Sequence, residues 1–383
     1  MTCGLFCPRQ VTETVSNYSV WVRFRGDDVK MELKESRQPG MDSSFLTELP
    51  ESETPCSNRH VNSENGGDMM PDDDGVTPHV NYDVTQNGDV TLDASNNVDD
   101  VDSAVENAEV REMEYLEYSV RCKKEDAWSV TAMAPTNHSG HLLVVDDRNS
   151  TVKLVDRQFA LLHRYTSVFH PWGVAVLDDE FLVVTFPFVR LMQYYKFKDL
   201  HTKIVPWFPV RAQSEYYGVC GNKKRIAAVC RYDGENMTDT PGVHIMGREG
   251  ILVHYVKKDH AGKQLFLEPD HIAMNATSEL LYVSDAGTHS VVCLNLNGEV
   301  LSLFHEPGLI PRGLGVDQSN GNIYVSDVTS ESVLRFNCNL DLVDKLHAKS
   351  ETLTALRALT YCSKTDRVII SSENSPYVKV FII

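Results

Sequence analysis

The sequence predicts an all-β protein, a six-bladed β-propeller of four-stranded antiparallel blades that follows a largely disordered, acidic N-terminal region. Three observations lead to this prediction. One strand–turn–strand pattern occurs six times, its copies follow one another at intervals of 42 to 53 residues, and no long segment has the 3.6-residue apolar period of a helix. A repeat of about 45 residues is typical of one four-stranded blade. A β-sandwich is the alternative, but the regular spacing argues against it.

Two short alternating segments stand near the N-terminus. Tyr18–Arg25 and Val29–Leu33 flank Gly26-Asp27-Asp28, which has the composition of a turn. These segments predict a short hairpin. A single hairpin is only marginally stable by itself, so residues 1–36 are not assigned to a domain.

The acidic charge of the chain is concentrated in its first 112 residues. Residues 1–112 carry 23 acidic and 8 basic side chains, a net of −15, whereas residues 113–383 carry 31 and 28, a net of −3. Residues 37–110 hold 17 acids against Arg37 and Arg59, with few large apolar side chains. Such a segment buries too little apolar area to offset its chain entropy. We therefore expect residues 37–112 to be a disordered leader, either a solvating spacer or a partner-binding acidic tail.

The clearest copy of the repeat is Pro311–Phe336. Its first strand alternates Leu314 and Val316 with glycines, a turn follows at Asn320-Gly321-Asn322, and the β-branched and aromatic run Ile323-Tyr324-Val325 ends at Ser326-Asp327. A third alternating strand then begins. A single sheet of this kind cannot bury both of its faces alone, which is why the number of copies decides the fold.

The residue just before each inner strand falls at an equivalent place in all six copies. The intervals between these residues are 44, 45, 53, 42 and 45, and the polar insertion Asp233–Pro241 accounts for the longest one. In a propeller these residues should surround one end of the central channel. We call them the ring residues, and the face that they mark the ring face: Trp128, Trp172, Tyr217, Asp270, Arg312 and Arg357.

The last copy of the repeat ends one strand short. It supplies strands near Ala358–Tyr361, Val368–Ser371 and Tyr377–Ile383, and then the chain stops. A radial array must close, because an exposed sheet edge is a liability. The alternating segment Tyr115–Arg121 is therefore expected to provide the fourth strand, so that residues 113–383 form one closed domain.

The fifth copy, G-L-G-V-D-x-x-x-G-N-I-Y-V-S-D-x-x-x-x-S-V from Gly313 to Val333, resembles the NHL repeat. The fourth copy, Pro269–Phe304, is a fair match, and the second and third are degenerate. The resemblance covers about seventy per cent of the chain and is greatest to the C-terminal propeller of tripartite-motif NHL proteins. It implies a propeller that binds proteins or RNA, in a family whose RING finger recruits ubiquitin-conjugating enzymes.

The chain departs from that family upstream of residue 113. A RING finger needs eight ligands in paired spacing, and no coiled-coil heptads are present. The resemblance therefore implies a substrate-recognition part of a ubiquitin-ligase-type system, without ligase activity in this chain. The candidate ligands upstream of residue 113 are Cys3, Cys7, Cys56, His60 and His79.

The ring residues are our candidate partner-binding site. Tryptophan, tyrosine and arginine side chains suit partners that offer stacking, cation–π and bidentate contacts. We expect a protein partner on the ring face; the alternative account is that these residues only cap and pack the blades. RNA is the second hypothesis, with Arg312 and Arg357 on phosphates and Trp172 or Tyr217 under bases. The net charge of −3 disfavours it, since phosphate affinity needs clustered positive charge. We expect no DNA and no membrane partner.

A metal-dependent propeller hydrolase or lyase is the third hypothesis. His271 and Asn275 of the fourth copy and Asp317 of the fifth are its only candidate residues. There is no nucleophile elbow, phosphate loop or paired catalytic carboxylate in recognisable context. We therefore expect a non-enzyme without a cofactor. Asp285 and Asp327 are expected to be turn residues, because Asp accepts backbone hydrogen bonds there.

Nine scattered cysteines without framework spacing indicate reduced thiols. Residues from Met1 onward also lack the cationic and apolar regions of a secretory signal. These two observations predict a cytoplasmic protein.

Overall fold

The computed structural model describes residues 104–383, except 123, 124, 126, 138, 232–239, 278 and 350–352, together with three strands between residues 12 and 35. The chain divides into two compact units, Met1–Val101 and Asp102–Ile383. Within the described part, no helix is long and apolar enough to cross a membrane.

The first unit contains a three-stranded antiparallel sheet in the order β1-β2-β3. Strands β2 and β3 form the hairpin that the sequence predicts, with Arg25 opposite Asp28, and β1 adds a strand before it. Residues 37–103 of the expected leader lie outside the described residues. The strands are β1 (Thr12–Val15), β2 (Tyr18–Arg25) and β3 (Asp28–Glu35).

The second unit is all-β, as the sequence predicts, and consists of six blades of four antiparallel strands. Two strands, β4 (Val110–Met113) and β5 (Tyr115–Ser119), precede the first blade in sequence. Blade 1 contains β6 (Val130–Pro135), β7 (Leu142–Asp146), β8 (Thr151–Val155) and β9 (Leu161–Thr166). Blade 2 contains β10 (Val174–Val176), β11 (Phe181–Phe186), the 3₁₀ turn Pro187–Val189, β12 (Leu191–Lys198) and β13 (Lys203–Arg211).

The remaining blades repeat this order along the chain. Blade 3 contains β14 (Tyr216–Gly221), β15 (Arg225–Cys230), β16 (Gly242–Gly247) and β17 (Leu252–Val256). Blade 4 contains β18 (Pro269–Asn275), β19 (Leu280–Asp285), β20 (Ser290–Asn295) and β21 (Val300–His305). Blade 5 contains β22 (Pro311–Val316), β23 (Ile323–Asp327), β24 (Ser332–Phe336) and β25 (Leu342–Ala348). Blade 6 contains β26 (Leu356–Cys362), β27 (Arg367–Ser372), β28 (Tyr377–Ile382) and β5.

The core lies between neighbouring blades rather than inside any one of them. The second strands are buried along almost their whole length, as in Leu142–Asp146, because both faces of a blade are covered. The outermost strands alternate instead, as in Val300–His305, because one face meets solvent. One apolar cluster joins Val229 of blade 3 to Val283 of blade 4, and similar clusters join other neighbouring blades.

Blade 6 is completed by a strand from the other end of the domain. Strand β5 pairs antiparallel with β28, with Tyr118 opposite Val378. The Tyr118 ring also stacks on Phe159 of blade 1, with ring centroids 4.4 Å apart. The sequence predicts Tyr115–Arg121 for this position, and the structure has Tyr115–Ser119 there.

Residues 104–112 differ from the expectation of a disordered leader that extends to residue 112. Val110–Met113 pairs in parallel with the outer strand of blade 5, Val110 opposite Lys345, and Val105 is buried against Leu309 and Leu340. The segment is ordered because the free edge of β25 supplies hydrogen-bond partners for its backbone. The acidic composition of the segment gives no sign of this pairing.

A buried charge cluster ties the connection between β5 and β6 to blade 1. Lys153 is fully buried, and its Nζ lies 2.8 Å from Glu125 Oε2 and 3.0 Å from Asp146 Oδ2. The same ammonium donates to the Val120 carbonyl at 3.0 Å, and the Cys122 N–H donates to Glu125 at 2.8 Å. Buried charges are tolerated only when paired and hydrogen-bonded, and here the pairing fastens the closing segment.

We expect Lys153→Met to destabilise the domain by about 3–5 kcal/mol, because it leaves the buried Asp146 without a cation and Glu125 with only the partly exposed Arg164. Lys349→Met is the matched control: its ammonium pairs with Glu114 at 3.3 Å, but both side chains are exposed. That pair should contribute at most about 1 kcal/mol. Urea unfolding followed by intrinsic fluorescence measures both values, and equal losses would contradict the structural role of the buried cluster.

Candidate binding surface at the channel end

The six ring residues lie at the same end of the inner strands. Tyr217, Asp270, Arg312 and Arg357 are the second residues of β14, β18, β22 and β26, and the two tryptophans stand two residues before β6 and β10. This common position follows from the repeat, because every inner strand runs in the same direction from the ring face. Whether they bind a partner is a separate question from where they lie.

Three of the ring residues form an aromatic and cationic contact across blades 2, 3 and 6. The Trp172 and Tyr217 rings meet edge to face, with centroids 5.2 Å apart and an interplanar angle of 87°. The Arg357 guanidinium lies 5.0 Å from the centroid of the Trp172 ring. Arg357 also pairs with Glu373 at 3.6 Å. Trp172 therefore sits between an aromatic neighbour and a cation rather than isolated on a blade tip.

Asp270 is the charged centre of this surface. Its side chain is nearly buried, and its Oδ2 lies 3.1 Å from Arg312 Nη1 and 3.4 Å from His271 Nδ1. Burial acts to raise the pKa of Asp270, but His271, Arg231 and Arg312 outweigh burial and hold that pKa well below its usual range. Asp270 is thus a carboxylate at physiological pH.

Arg231 also belongs to this surface, although it is not one of the six ring residues predicted from the sequence. Its guanidinium lies 4.5 Å from the Tyr217 ring centroid and 5.7 Å from that of Trp172, and it forms an ion pair with Asp270. Its Nε donates to the Pro269 carbonyl at 3.1 Å. Arg231 follows β15 directly and opens the polar insertion, so the insertion that lengthens the third repeat was the available signal.

Trp128 stands apart from the other ring residues in its contacts. The Arg121 guanidinium lies 5.1 Å from the centroid of its ring. Five of the six ring residues are therefore linked through Arg231 and Asp270 or through Trp172, while the sixth is covered by the segment that follows β5.

The side chain of His271 reaches across the channel to a backbone group of another blade, and is not free to bind a metal ion. Its Nε2 lies 3.1 Å from the backbone oxygen of Thr131, which belongs to blade 1, three blades away around the six-membered array. A carbonyl only accepts hydrogen bonds, so Nε2 carries the hydrogen in this contact. His271 thereby braces opposite blades below the ring residues.

The other two candidate residues of the enzyme hypothesis hold turns. Asn275 Oδ1 accepts the Thr277 N–H at 3.0 Å, and Asp317 Oδ1 accepts the Ser319 N–H at 2.9 Å. Both lie at the far ends of their inner strands from the ring residues. Among the residues that the structure describes, no group of three or more His, Cys, Asp or Glu side chains is placed to hold a metal ion.

The expected turn role of Asp285 and Asp327 is confirmed. Asp285 accepts the backbone N–H groups of Leu267 and Glu268 at 2.8 and 2.9 Å. Asp327 accepts that of Ile310 at 3.0 Å in the equivalent place of the next blade. Each carboxylate therefore fastens the chain that enters its own blade.

Glycines beneath the ring residues let the inner strands touch. A Cβ at Gly173 would lie 2.3 Å from the Tyr217 oxygen, and one at Gly313 would lie 2.1 Å from the Leu359 nitrogen. Real Cβ atoms cannot approach backbone so closely, so only glycine permits this spacing. The ring residues are consequently held on a tightly packed base.

Comparison with known proteins shows the fold class and nothing narrower. No family model matches this chain, and no curated protein matches it. Solved structures do match over the propeller. Virginiamycin B lyase from Staphylococcus aureus aligns with a TM-score of 0.50 and 8% identity, covering 71% of this chain and 100% of that one. The β-propeller domain of Cps50 (Swd1) from Myceliophteria thermophila aligns with a TM-score of 0.51 and 9% identity, covering 71% and 99%.

A third neighbour is XC5397 from Xanthomonas campestris, described as a gluconolactonase. It aligns with a TM-score of 0.51 and 16% identity, covering 70% of this chain and 89% of that one. The second unit is thus a β-propeller by comparison as well as by topology. Because the neighbours include two proteins named as enzymes and a propeller domain named without an activity, the fold leaves the function open.

We expect Asp270→Asn to destabilise the protein at neutral pH by about 1–3 kcal/mol, because the arginines lose the negative charge and one of the two oxygens that accept from them. The depressed pKa means that the stability from Asp270 is present above about pH 4, the pKa of an unfolded Asp, and is lost as pH falls below it. The unfolding midpoint of the variant should therefore change less than that of the wild type between pH 5 and pH 2.

The control for this variant is Glu373→Gln, which removes a half-exposed partner of Arg357. An exposed pair contributes at most about 1 kcal/mol. If Asp270→Asn and Glu373→Gln gave the same pH profile, Asp270 would not be the charged centre of the surface.

Proposed function

We propose that the propeller is a non-catalytic recognition module whose ring face binds a protein partner. The observation that carries this proposal is the cluster of Trp172, Tyr217, Arg231, Arg312 and Arg357 around the buried carboxylate of Asp270. Arginine and large aromatic residues dominate the energetics of protein interfaces. Their presence together at one end of the channel favours an interface over a role in capping single blades.

The arrangement of these side chains suits binding. Arg231 and Arg312 are only partly exposed and are held by one carboxylate, while Arg357 lies over an indole ring. A side chain that is already ordered loses less conformational entropy when a partner arrives. The ring face therefore offers cationic and aromatic groups in set positions on a rigid base.

We further propose that the blades are NHL-type and that the module serves substrate recognition in a ubiquitin-ligase-type system of the cytoplasm. The pattern residues of the fifth copy support this through their positions. Gly313 permits close strand contact, Asp317 holds a turn, and Asp327 fastens the entering chain. Tripartite-motif NHL proteins are the resemblance on which the ubiquitin part of this proposal rests.

RNA is the second candidate partner, and Arg231 is the observation that favours it. With this residue, two arginines, Arg231 and Arg357, lie over two aromatic rings, a combination that suits phosphates and stacked bases. Asp270 offsets part of that charge, and the propeller as a whole carries a net of −3. A protein partner is therefore the first choice.

The test is quantitative affinity capture with the full chain, comparing the wild type with the double variant Arg312→Glu/Arg357→Glu. The two substitutions replace positive charges with negative ones, which repel the negative charges of a partner that fits this face. We therefore expect the amount of captured partner to fall at least about tenfold. Lys224→Glu is the matched control, since this exposed lysine lies at the opposite ends of the inner strands. A direct titration with the captured partner then gives the affinities.

Nuclease treatment separates the two candidates. Capture that survives nuclease and is lost in the double variant supports the protein partner. RNA would become the preferred partner if the wild type captured nucleic acid and the double variant did not. Capture of RNA should also fall steeply as the salt concentration rises. Equal capture by the wild type, the double variant and Lys224→Glu would remove the ring face from consideration.

A further inference from the structure

The outer strand of blade 5 is covered by another strand of the same chain. Strand β4 pairs in parallel with β25, and the Lys345 N–H donates to the Glu109 carbonyl at 2.8 Å. Under this cover Lys345 is only 8% exposed. The edge of a blade in this protein can therefore accept a further strand, and the backbone groups at the position of Lys345 point outward from the blade.

The equivalent edge of blade 4 carries no such strand. Blade 4 ends with β21, and within the described part of the chain no strand pairs with its outer side. Leu303 occupies the register position of Lys345 in this blade, so its N–H also points outward. The Leu303 side chain is 49% exposed, and that of Leu301 is 53% exposed. An apolar, unpaired edge is a template on which another strand can pair.

The other blades have different residues at this register position. A charged side chain discourages strand pairing, and a proline has no N–H to donate. In blade 3 the residue is a tyrosine whose hydroxyl donates to the Thr240 carbonyl of its own blade. Leu303 is the one leucine of the set. From blade 1 to blade 6 the residues are Arg164, Pro209, Tyr255, Leu303, Lys345 and Glu117.

Two copies of the β21 edge are complementary to each other. Strands that meet across a two-fold axis run antiparallel, and an axis beside Leu303 lets the N–H of each Leu303 donate to the carbonyl of the other. The two Leu303 side chains then pack together, with Leu301 on the same face of the strand. Val300–His305 contains no Lys, Arg, Asp, Glu or Pro, so the pairing brings no like charges together. A second copy therefore offers both matching backbone groups and matching apolar side chains.

We propose that the protein forms a two-fold dimer through the outer edges of blade 4, with the two β21 strands paired antiparallel. The addition of β4 to blade 5 supports this mode of contact, and the exposed leucines of β21 support its location. A contact between single edge strands is small, so the dimer is reversible. It lies on the outermost strand of a blade, so the ring face of each copy stays open for the partner of the proposed function.

The test is sedimentation equilibrium of the full chain between about 0.1 and 100 μM, which covers weak and moderately tight dimers. We expect a reversible monomer–dimer equilibrium. Leu303→Lys removes apolar contact and places two like charges opposite each other at the axis, so the dissociation constant should rise at least about tenfold. Leu161→Lys is the matched control, because Leu161 is also 49% exposed on an outer strand, but in blade 1. It should leave the dissociation constant unchanged.

A second variant, Leu303→Pro, tests the backbone pairing separately. The outer strand of blade 2 accommodates Pro209 at the same register position, so this proline removes the outward N–H at a place where the fold accepts it. We expect a monomer throughout the concentration range. Each variant is first shown to unfold at the wild-type urea midpoint.

Two results would overturn the dimer through blade 4. A wild type that stays monomeric would exclude the second copy and leave the edge of β21 to a strand of a different protein. A dimer that persists in both Leu303 variants would show that another surface holds the two copies together. Capture of a partner at the ring face is measured independently, so neither result decides the proposed function.

Discussion

Closure of the blade array is the constraint on which the rest of this propeller depends. Each blade has two apolar faces that only its two neighbours can cover, so six blades are stable as a closed circle and not as a row. Strand β5 completes blade 6 through its pairs with β28, and Tyr118 then packs against blade 1. The buried Lys153 holds the following segment through Glu125. Closure thus combines backbone pairing, ring stacking and a charge that is costly to leave unpaired.

The same closure brings six inner strands to one axis and makes its two ends different. Glycines at one end allow contact between strands, and His271 braces opposite blades there. The side chains at the ring face, Arg231 and Asp270 among them, form a surface of closely spaced charged and aromatic groups. At the other end of the inner strands a cavity remains along the axis.

The blades were predictable because their chemistry is local. Alternating apolar strands, turn residues and aspartates such as Asp285 recur once per blade. Each of them has the same structural role in every blade in which it occurs. The equivalent position of Arg312 and Trp172 follows from that repetition as well. Arg231 was missed because it stands at the end of a second strand, outside the repeated position, and joins the surface only through contacts with Tyr217 and Asp270. Strand β4 was missed because its partner is 235 residues away, Lys345 opposite Val110.

The sequence by itself determined the fold class, the number of blades and the end of the channel at which the ring residues lie, because period and strand direction are properties of the chain. Tertiary structure decided which of those residues touch. It paired Arg312 and Arg231 with one carboxylate, separated Trp128 from the others, and turned His271 from a candidate ligand into a brace. The physical reason is that ion pairs, stacking and cavities depend on distances of a few ångströms between blades, and no spacing along the chain encodes those distances.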